Sequence, residues 1–331
     1  MSRLQLLMTQ YNETEDVSKA MLDSIEIQRN IDLQNDIEVF IGNDGSETKL
    51  SKEFLEKYSF PIKYFSFPHS GVAGCRKYLF DQSTSEYVMF CDIDDMFLNS
   101  LALSIILKTI NTGFDSLICD YMVEIKKKDQ SLTYTIAKKD GVQVHGKVYR
   151  RQFLLDNKIQ WHPELHEHQD SPFNCLALSL SKDTKYIDIP LYTWRYNKDS
   201  ISRKNGEMHR PLTWPHMIDS YDALVEDLMI RGYGKNARHY AMSCLYATYF
   251  EMGREPWQRE NSAEYRFNTY QRISNFFFKY ELLLLYLNDE KEIEKIKTDA
   301  KRNAEKAGKL YLPLTIEEWM QTILNMFPRC K

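Results

Sequence analysis

Long apolar runs, paired cysteines and an excess of one charge are all missing from this sequence. The most apolar stretch, residues 276–287, is interrupted by Lys279 and Glu281 and is too short to cross a bilayer, so it reads as a buried helix. The N-terminal MSRLQLLMTQYNE lacks the basic start, apolar stretch and small-residue cleavage site of a secretory signal, which makes a cytoplasmic location the expectation. The six cysteines, Cys75, Cys91, Cys119, Cys175, Cys244 and Cys330, form no CxxC pair, and most sit in apolar runs as free buried thiols do, which fits a reducing compartment. A net charge of -4 gives no general attraction to phosphate backbones. With only 12 Gly and 10 Pro in 331 residues the chain is not of disordered composition, and its length predicts a large domain with a smaller one appended.

What is present alternates. Residues 4–9 are a short apolar run, and 15–28 carry Val17, Met21, Leu22 and Ile25 at helical spacing. The unit repeats as a strand at 37–41 ending in Asn43-Asp44-Gly45-Ser46 and a helix at 50–57, then a strand at 62–67 with a helix at 71–82. A strand at 87–91 runs directly into Asp92-Ile93-Asp94-Asp95 before a helix at 100–109. Such alternation predicts an α/β, Rossmann-like, mostly parallel sheet flanked by helices, with the loops around Asn12, Asp44 and Asp92 at the carboxyl ends of the strands where ligands bind.

From 116 to about 201 the pattern is mixed, with a strand at 116–123, a hairpin near 132–136 and helices at 150–157 and 171–179. Beyond Pro211 only helical periodicity remains, at 217–230, 235–252, 265–288, 290–306 and 316–327. The division falls between a catalytic domain at 1–208, with halves 1–100 and 101–208, and an all-helical C-terminal domain at 209–331.

Asp92, Asp94 and Asp95 follow the most apolar strand, where carboxylates are costly unless paired, hydrated or bound to a cation. A divalent metal (Mn2+ or Mg2+) would meet that need, with Asp94 in direct contact and Asp92 nearer the donor sugar. The competing reading is a solvated acidic turn capping the next helix.

The order of these motifs resembles the family-2 glycosyltransferases of GT-A fold, over residues 4–205. Thr9-Gln10-Tyr11-Asn12-Glu13 matches the opening element, which implies that Thr9, Tyr11, Asn12 and Glu13 hold the uridine, although the usual Pro before Tyr11 is absent. Asn43-Asp44-Gly45-Ser46 matches the second, implying a base contact for Asp44. Gly71 to Lys77 matches the third, with Gly71 and Arg76 at the donor and Lys77 in place of the usual Asn. Asp92-Ile93-Asp94-Asp95 is the strongest match, and Gly146-Lys147-Val148-Tyr149-Arg150-Arg151 and Gln169-Asp170-Ser171-Pro172-Phe173 follow in order.

The resemblance implies an inverting transfer from a nucleotide diphosphate sugar, UDP-linked, to a carbohydrate-type acceptor such as a glycan, lipid-linked sugar or protein. Asp170 is the implied base, although an Asp before Ser-Pro and an apolar run is also a good helix cap. Arg203 is implied at the diphosphate, and His209 at the metal beside Asp94 and Asp92.

Two motifs invite other readings. Residues 141–148 nearly spell a phosphate-binding P-loop, but Val148 stands where Ser or Thr would hold magnesium. His162, His166 and His168 beside Glu164 and Glu167 have ligand density for zinc without a recognised spacing; with Trp161 they fit the acceptor side. The alternatives to a glycan transferase are a phage-type transferase acting on a modified DNA base, with Lys126-Lys127-Lys128, Lys138-Lys139 and Arg150-Arg151 as a basic surface, and an inactive GT-A-like binding protein, motivated by Lys77 and Gln169. A homodimer through the helical domain is a further possibility.

Overall fold

The computed structural model describes residues 2–127, 129–165, 167–198, 214–252, 261–285, 290–306 and 314–327. The chain divides into two compact units, Met1–Lys198 and Asp199–Lys331.

In the first unit the alternation becomes β1 (Leu4–Gln10), α1 (Glu15–Glu26), β2 (Ile37–Asp44), α2 (Lys52–Leu55), β3 (Ile62–Phe67), α3 (Gly71–Gln82), β4 (Tyr87–Asp92), β5 (Met96–Phe97) and α4 (Ala102–Ile110). It continues with β6 (Ser116–Lys126), β7 (Leu132–Ala137), β8 (Lys147–Arg150), α5 (Arg151–Asp156), α6 (Asp170–Leu180) and β9 (Thr184–Trp194). One nine-stranded sheet runs β3-β2-β1-β4-β8-β6-β9-β5, with β7 paired to β6. β1 to β4 are mutually parallel, whereas β8 is antiparallel to both β4 and β6. The sheet is therefore a parallel half joined to a mixed half.

Burial on both faces explains the near-continuous apolar character of the central strands. Leu4, Leu6, Leu7 and Met8 of β1 are fully buried, each stabilising the fold by about 1.5–3 kcal/mol. Gln5 is the polar exception in that run and is hydrogen-bonded at both ends: its Nε2 donates to Glu38 Oε2 (2.7 Å), and its Oε1 accepts from the amides of Thr84 and Ser85 (2.7 and 2.9 Å). Register then sets the ligand edge. Thr9 near the end of β1 lies opposite Gly42 on one side and Asp92 on the other, so the polar loops after β1, β2 and β4 open on one rim.

The second unit contains α7 (Trp214–Ile230), α8 (Gly234–Met252), α9 (Ala263–Lys279), α10 (Glu281–Leu285), α11 (Glu290–Lys306) and α12 (Ile316–Met326). Leu224, Leu228, Ala241, Cys244, Ile273, Phe277, Trp319 and Ile323 are among its buried residues. The helix expected over 265–288 is two helices, because the chain breaks at Tyr280, whose hydroxyl donates to Asp222 Oδ1 (2.6 Å). Leu282 just beyond the break is 70% exposed, so the apolar run is only partly buried. No helix among the described residues is long and apolar enough to cross a membrane.

Candidate active site

β4 delivers the acidic cluster to the rim, and each of its carboxylates meets a different environment. Asp92 Oδ1 accepts from Arg76 Nη2 (2.7 Å) and Thr9 Oγ1 (3.3 Å). Burial works against the charge on Asp92, but the Arg76 guanidinium outweighs it and holds the carboxyl below its usual range. Asp94 accepts from Asn197 Nδ2 (2.8 Å); burial, and then the charges of Asp95 and Asp92, push it up to about 7. Asp95 is 1% exposed and accepts from the Tyr192 hydroxyl (2.8 Å) and the Arg195 amide (2.9 Å). The helix after this turn, α4, starts at an uncapped Leu101, so the acidic cluster is not its cap.

Glu13 joins the cluster from the loop after β1. Burial pushes its carboxyl up to about 7 against the Tyr11 amide (2.5 Å), with the charges of Asp94 and Asp92 adding to the rise. Burial is the main cause of both rises, and the crowding of carboxylates adds to it.

Beneath it, the buried His145 ring is stacked on Trp194 (5.0 Å) and Tyr192 (5.7 Å). Its Nδ1 lies 3.4 Å from Asp95 Oδ2, within ion-pairing range but without hydrogen-bond geometry. Burial disfavours the imidazolium, yet the neighbouring Asp95 raises its pKa above the usual value. Ligand atoms of Asp92, Asp95 and His145 lie within 4.8 Å of one another, a group that could hold a metal ion.

Arg76, buried on α3, ties this cluster to the other half of the sheet. Its Nη1 donates to Asp170 Oδ1 (2.5 Å) while Nη2 holds Asp92, and its guanidinium lies 4.8 Å from the Trp161 ring. Asp170 is the first residue of α6, whose cap position, Gln169, makes no side-chain cap bond. The Asp170 carboxylate instead takes Arg76 on Oδ1 and the Val144 amide on Oδ2 (3.0 Å), so it reaches toward α3 and does not cap its own helix.

The remaining residues expected at the donor lie farther along the rim. Asn12 has a left-handed φ of 67° and is pinned by Ser46 Oγ on its amide (2.9 Å) and by the Glu47 amide on its Oδ1 (3.0 Å). Asp44 accepts from the Ser70 amide (2.6 Å) and pairs with His69 Nδ1 (2.9 Å), and the half-exposed Tyr11 ring lies over His69 at 4.6 Å. Gly71 begins α3 with φ +77°. Ile93 is buried. Arg203, His209 and His166 lie outside the described residues. His162 pairs with Glu164 (2.8 Å), and neither belongs to a metal-holding group among the described residues. Of the basic runs, Arg150 pairs with Asp115 (2.6 Å) and Arg151 Nε donates to Ser83 Oγ (2.9 Å), so both serve the fold.

The sequence pattern marks Asp95 as part of the acidic turn without giving it a ligand role, and it gives no role at this cluster to His145, Tyr192 or Asn197. The available signal was a solitary His between Val144 and Gly146 in an otherwise apolar approach to β8, which the near P-loop pattern obscured.

No curated relative matches this sequence. Among solved structures, residues 1–349 of S. aureus TarS in complex with UDP-GlcNAc superpose with a TM-score of 0.67 at 15% identity, covering 93% of this chain and 91% of that one. The same protein in complex with UDP gives 0.63 over the same shares. Intact S. aureus TarS gives 0.66 with 55% of its length covered. These likenesses establish the fold as GT-A. The model of glycosyl transferase family 2 matches residues 6–171, a span that begins in β1, takes in the acidic turn after β4 and ends at the Asp170 carboxylate held by Arg76, and the chain belongs to that family.

Proposed function

We propose that the protein transfers a sugar from a uridine diphosphate sugar to a hydroxyl of a carbohydrate-type acceptor, with inversion at the anomeric carbon. The observation that carries this reading is the bridge from Asp92 through Arg76 to Asp170, which holds a carboxylate from each half of the sheet on one guanidinium, as a donor-side and an acceptor-side acid would need. The bound UDP and UDP-GlcNAc of TarS support a uridine nucleotide. On this reading Tyr11, Asn12 and Asp44 receive the nucleoside, and Thr9, Glu13, Gly71, Arg76, Asp92 and Ile93 line the way to the sugar, with Arg203 at the diphosphate.

The donor set fits a hard divalent cation, Mn2+ or Mg2+, because the carboxylates of Glu13, Asp92 and Asp94 are gathered in a buried setting, where burial first and mutual repulsion second push Glu13 and Asp94 up to about 7. Asp95 and His145 are closed off by Tyr192, Arg195 and Trp194, so the partly exposed Asp94 and Asp92 are the better ligands for an ion that must also reach a diphosphate, with His209 as a further candidate. Such an ion neutralises charge on a diphosphate.

Asp170 takes the proton from the acceptor hydroxyl as that oxygen bonds to the anomeric carbon and the bond from this carbon to the β-phosphate oxygen breaks. Arg76 and the Val144 amide fix the direction of the carboxylate, so one face of the sugar meets the base and the other the leaving group. A base and a leaving group on opposite sides require inversion.

The test is hydrolysis of a panel of nucleotide sugars with manganese or chelator, beside Asp94→Ala. Metal-dependent release of UDP from one sugar, lost in the variant, supports the reading. Absence of turnover and of nucleotide binding under every condition overturns it in favour of an inactive binding protein.

A further inference from the structure

Lys147 nearly completes a P-loop pattern, yet among the described residues its ammonium makes no ion pair. It is the first residue of β8, is 1% exposed, and among the described residues its Nζ donates only to the backbone carbonyls of Gln143 and His145. Burial lowers its pKa, and the charges of Asp140 and Asp170 only partly offset that. Enclosing an ammonium without a carboxylate partner is expensive, so this burial calls for an explanation beyond packing.

The carbonyl it grips supplies one. Gln143 O and Val144 N belong to the same peptide group, and no peptide bond among the described residues is cis. In a planar trans peptide the C=O and N–H point in opposite directions. Lys147 holds the oxygen end of that group, and Asp170 Oδ2 accepts from its nitrogen end at 3.0 Å. A buried cation and the carboxylate are thus joined in series through one peptide dipole, an arrangement in which each hydrogen bond polarises the next.

The loop that carries this peptide is braced on both sides. Asp140 Oδ1 takes the Val142 amide (2.7 Å), Asn174 Nδ2 donates to Val142 O (2.7 Å), and the Cys119 amide donates to Gly146 O (2.8 Å). Gly146 has φ +69°, and a Cβ there would stand 2.7 Å from Cys119 O, so only glycine returns the chain to β8 with Lys147 facing back into its own loop.

We propose that Lys147 is a positioning residue for the transfer reaction: through the Gln143–Val144 peptide it aims the Val144 N–H at Asp170 and keeps that carboxylate turned toward Arg76 and away from its own helix. The inference rests on Asp170 being the base. Arg76 performs the corresponding task on Oδ1, so the two oxygens are set by two buried cations, one directly and one through the backbone.

The test compares wild type, Lys147→Met, Lys147→Arg, Val144→Pro and Asp170→Asn in steady-state hydrolysis of the UDP-sugar that the wild type turns over, with UDP affinity measured separately by calorimetry. Lys147→Met is expected to lower kcat by roughly 100-fold, as a displaced catalytic group does, with UDP affinity within about twofold of wild type. Its amide exchange should quicken only over residues 141–146. Lys147→Arg, which restores a cation, should recover about tenfold of the lost rate. Val144→Pro removes the shared N–H at the other end and must reproduce the kcat loss at unchanged UDP affinity, which keeps the inference testable where Lys147→Met does not fold. Wild-type kcat in either Lys147→Met or Val144→Pro overturns the inference. Wild-type kcat in Asp170→Asn overturns the assignment of the base instead.

Discussion

Arg76 Nη1 meets Asp170 Oδ1 at 2.5 Å across 94 positions of sequence, joining a helix of the parallel half to a helix of the mixed half. Its second nitrogen holds Asp92, so one side chain sets the separation of the two carboxylates.

Arg76→Met leaves two partly enclosed carboxylates facing each other. Removing one partner of a buried pair costs about 3–5 kcal/mol, and residual solvent contact at Asp92 (28%) and Asp170 (16%) places the expected loss at the lower end. Arg76→Lys should not restore it, because a single ammonium lacks the fork that reaches two acids at once. Chemical denaturation of both variants checks this; a Lys variant as stable as wild type refutes the bridging role.

Asp170→Asn keeps the shape but leaves a single acceptor oxygen for Arg76 and the Val144 amide, and it cannot accept a proton. Removal of a positioned base should lower kcat by about 100- to 10,000-fold while UDP affinity stays near wild type, because Asp170 stands apart from the Tyr11, Asn12 and Asp44 end of the rim. A parallel loss of UDP affinity would place Asp170 at the donor.

Glu13 and Asp94 set the pH response of the metal-free protein. Both carboxyls are raised to about 7 from ordinary values of 4.5 and 3.8, so the folded state favours their protonated forms. Their contribution to stability is fully present below the unfolded values and is lost as pH rises through 7. The thermal midpoint should therefore fall between pH 5 and pH 8, less steeply in Glu13→Gln, and manganese should restore it most at pH 8. Equal slopes in wild type and Glu13→Gln would remove Glu13 from the cluster.

The parallel half was legible because β1, β2 and β4 are buried on both faces and the half-buried edge strand β3 still reads as a β-branched and aromatic run: β3 and α3 fall at the expected residues, and the strand ends put Thr9, Asp44 and Asp92 on one rim. β5, β8 and β9 were not, since a two-residue strand has no period, β8 begins with a buried lysine, and β9 is exposed along much of its length. The acidic turn was readable as chemistry, but the partners that distinguish Asp92 from Asp95, namely Arg76, His145 and Tyr192, come from ladders whose pairing no local pattern encodes. Asp170 could be named from motif order alone, while the cation behind the Val144 peptide depends on a loop geometry that only the fold supplies.

Gly45 tests whether the rim at the nucleoside end is as tightly set as the carboxylate end. Its φ is +69°, and a Cβ there would lie 2.6 Å from the His69 amide nitrogen, a backbone atom that cannot turn aside. Gly45→Ala therefore carries a left-handed conformation costing about 1 kcal/mol and pushes the 69–70 backbone away from Asp44, which binds the Ser70 amide at 2.6 Å and His69 at 2.9 Å. Because Tyr11 rests on the His69 ring, the disturbance should reach the exposed aromatic surface and weaken UDP binding by about tenfold or more, equivalent to about 1.4 kcal/mol, while the Arg76 bridge and manganese response stay intact. Calorimetric titration with UDP reads the first effect and manganese-dependent thermal shift the second; unchanged UDP affinity would place the nucleoside elsewhere than on the Tyr11 and His69 surface.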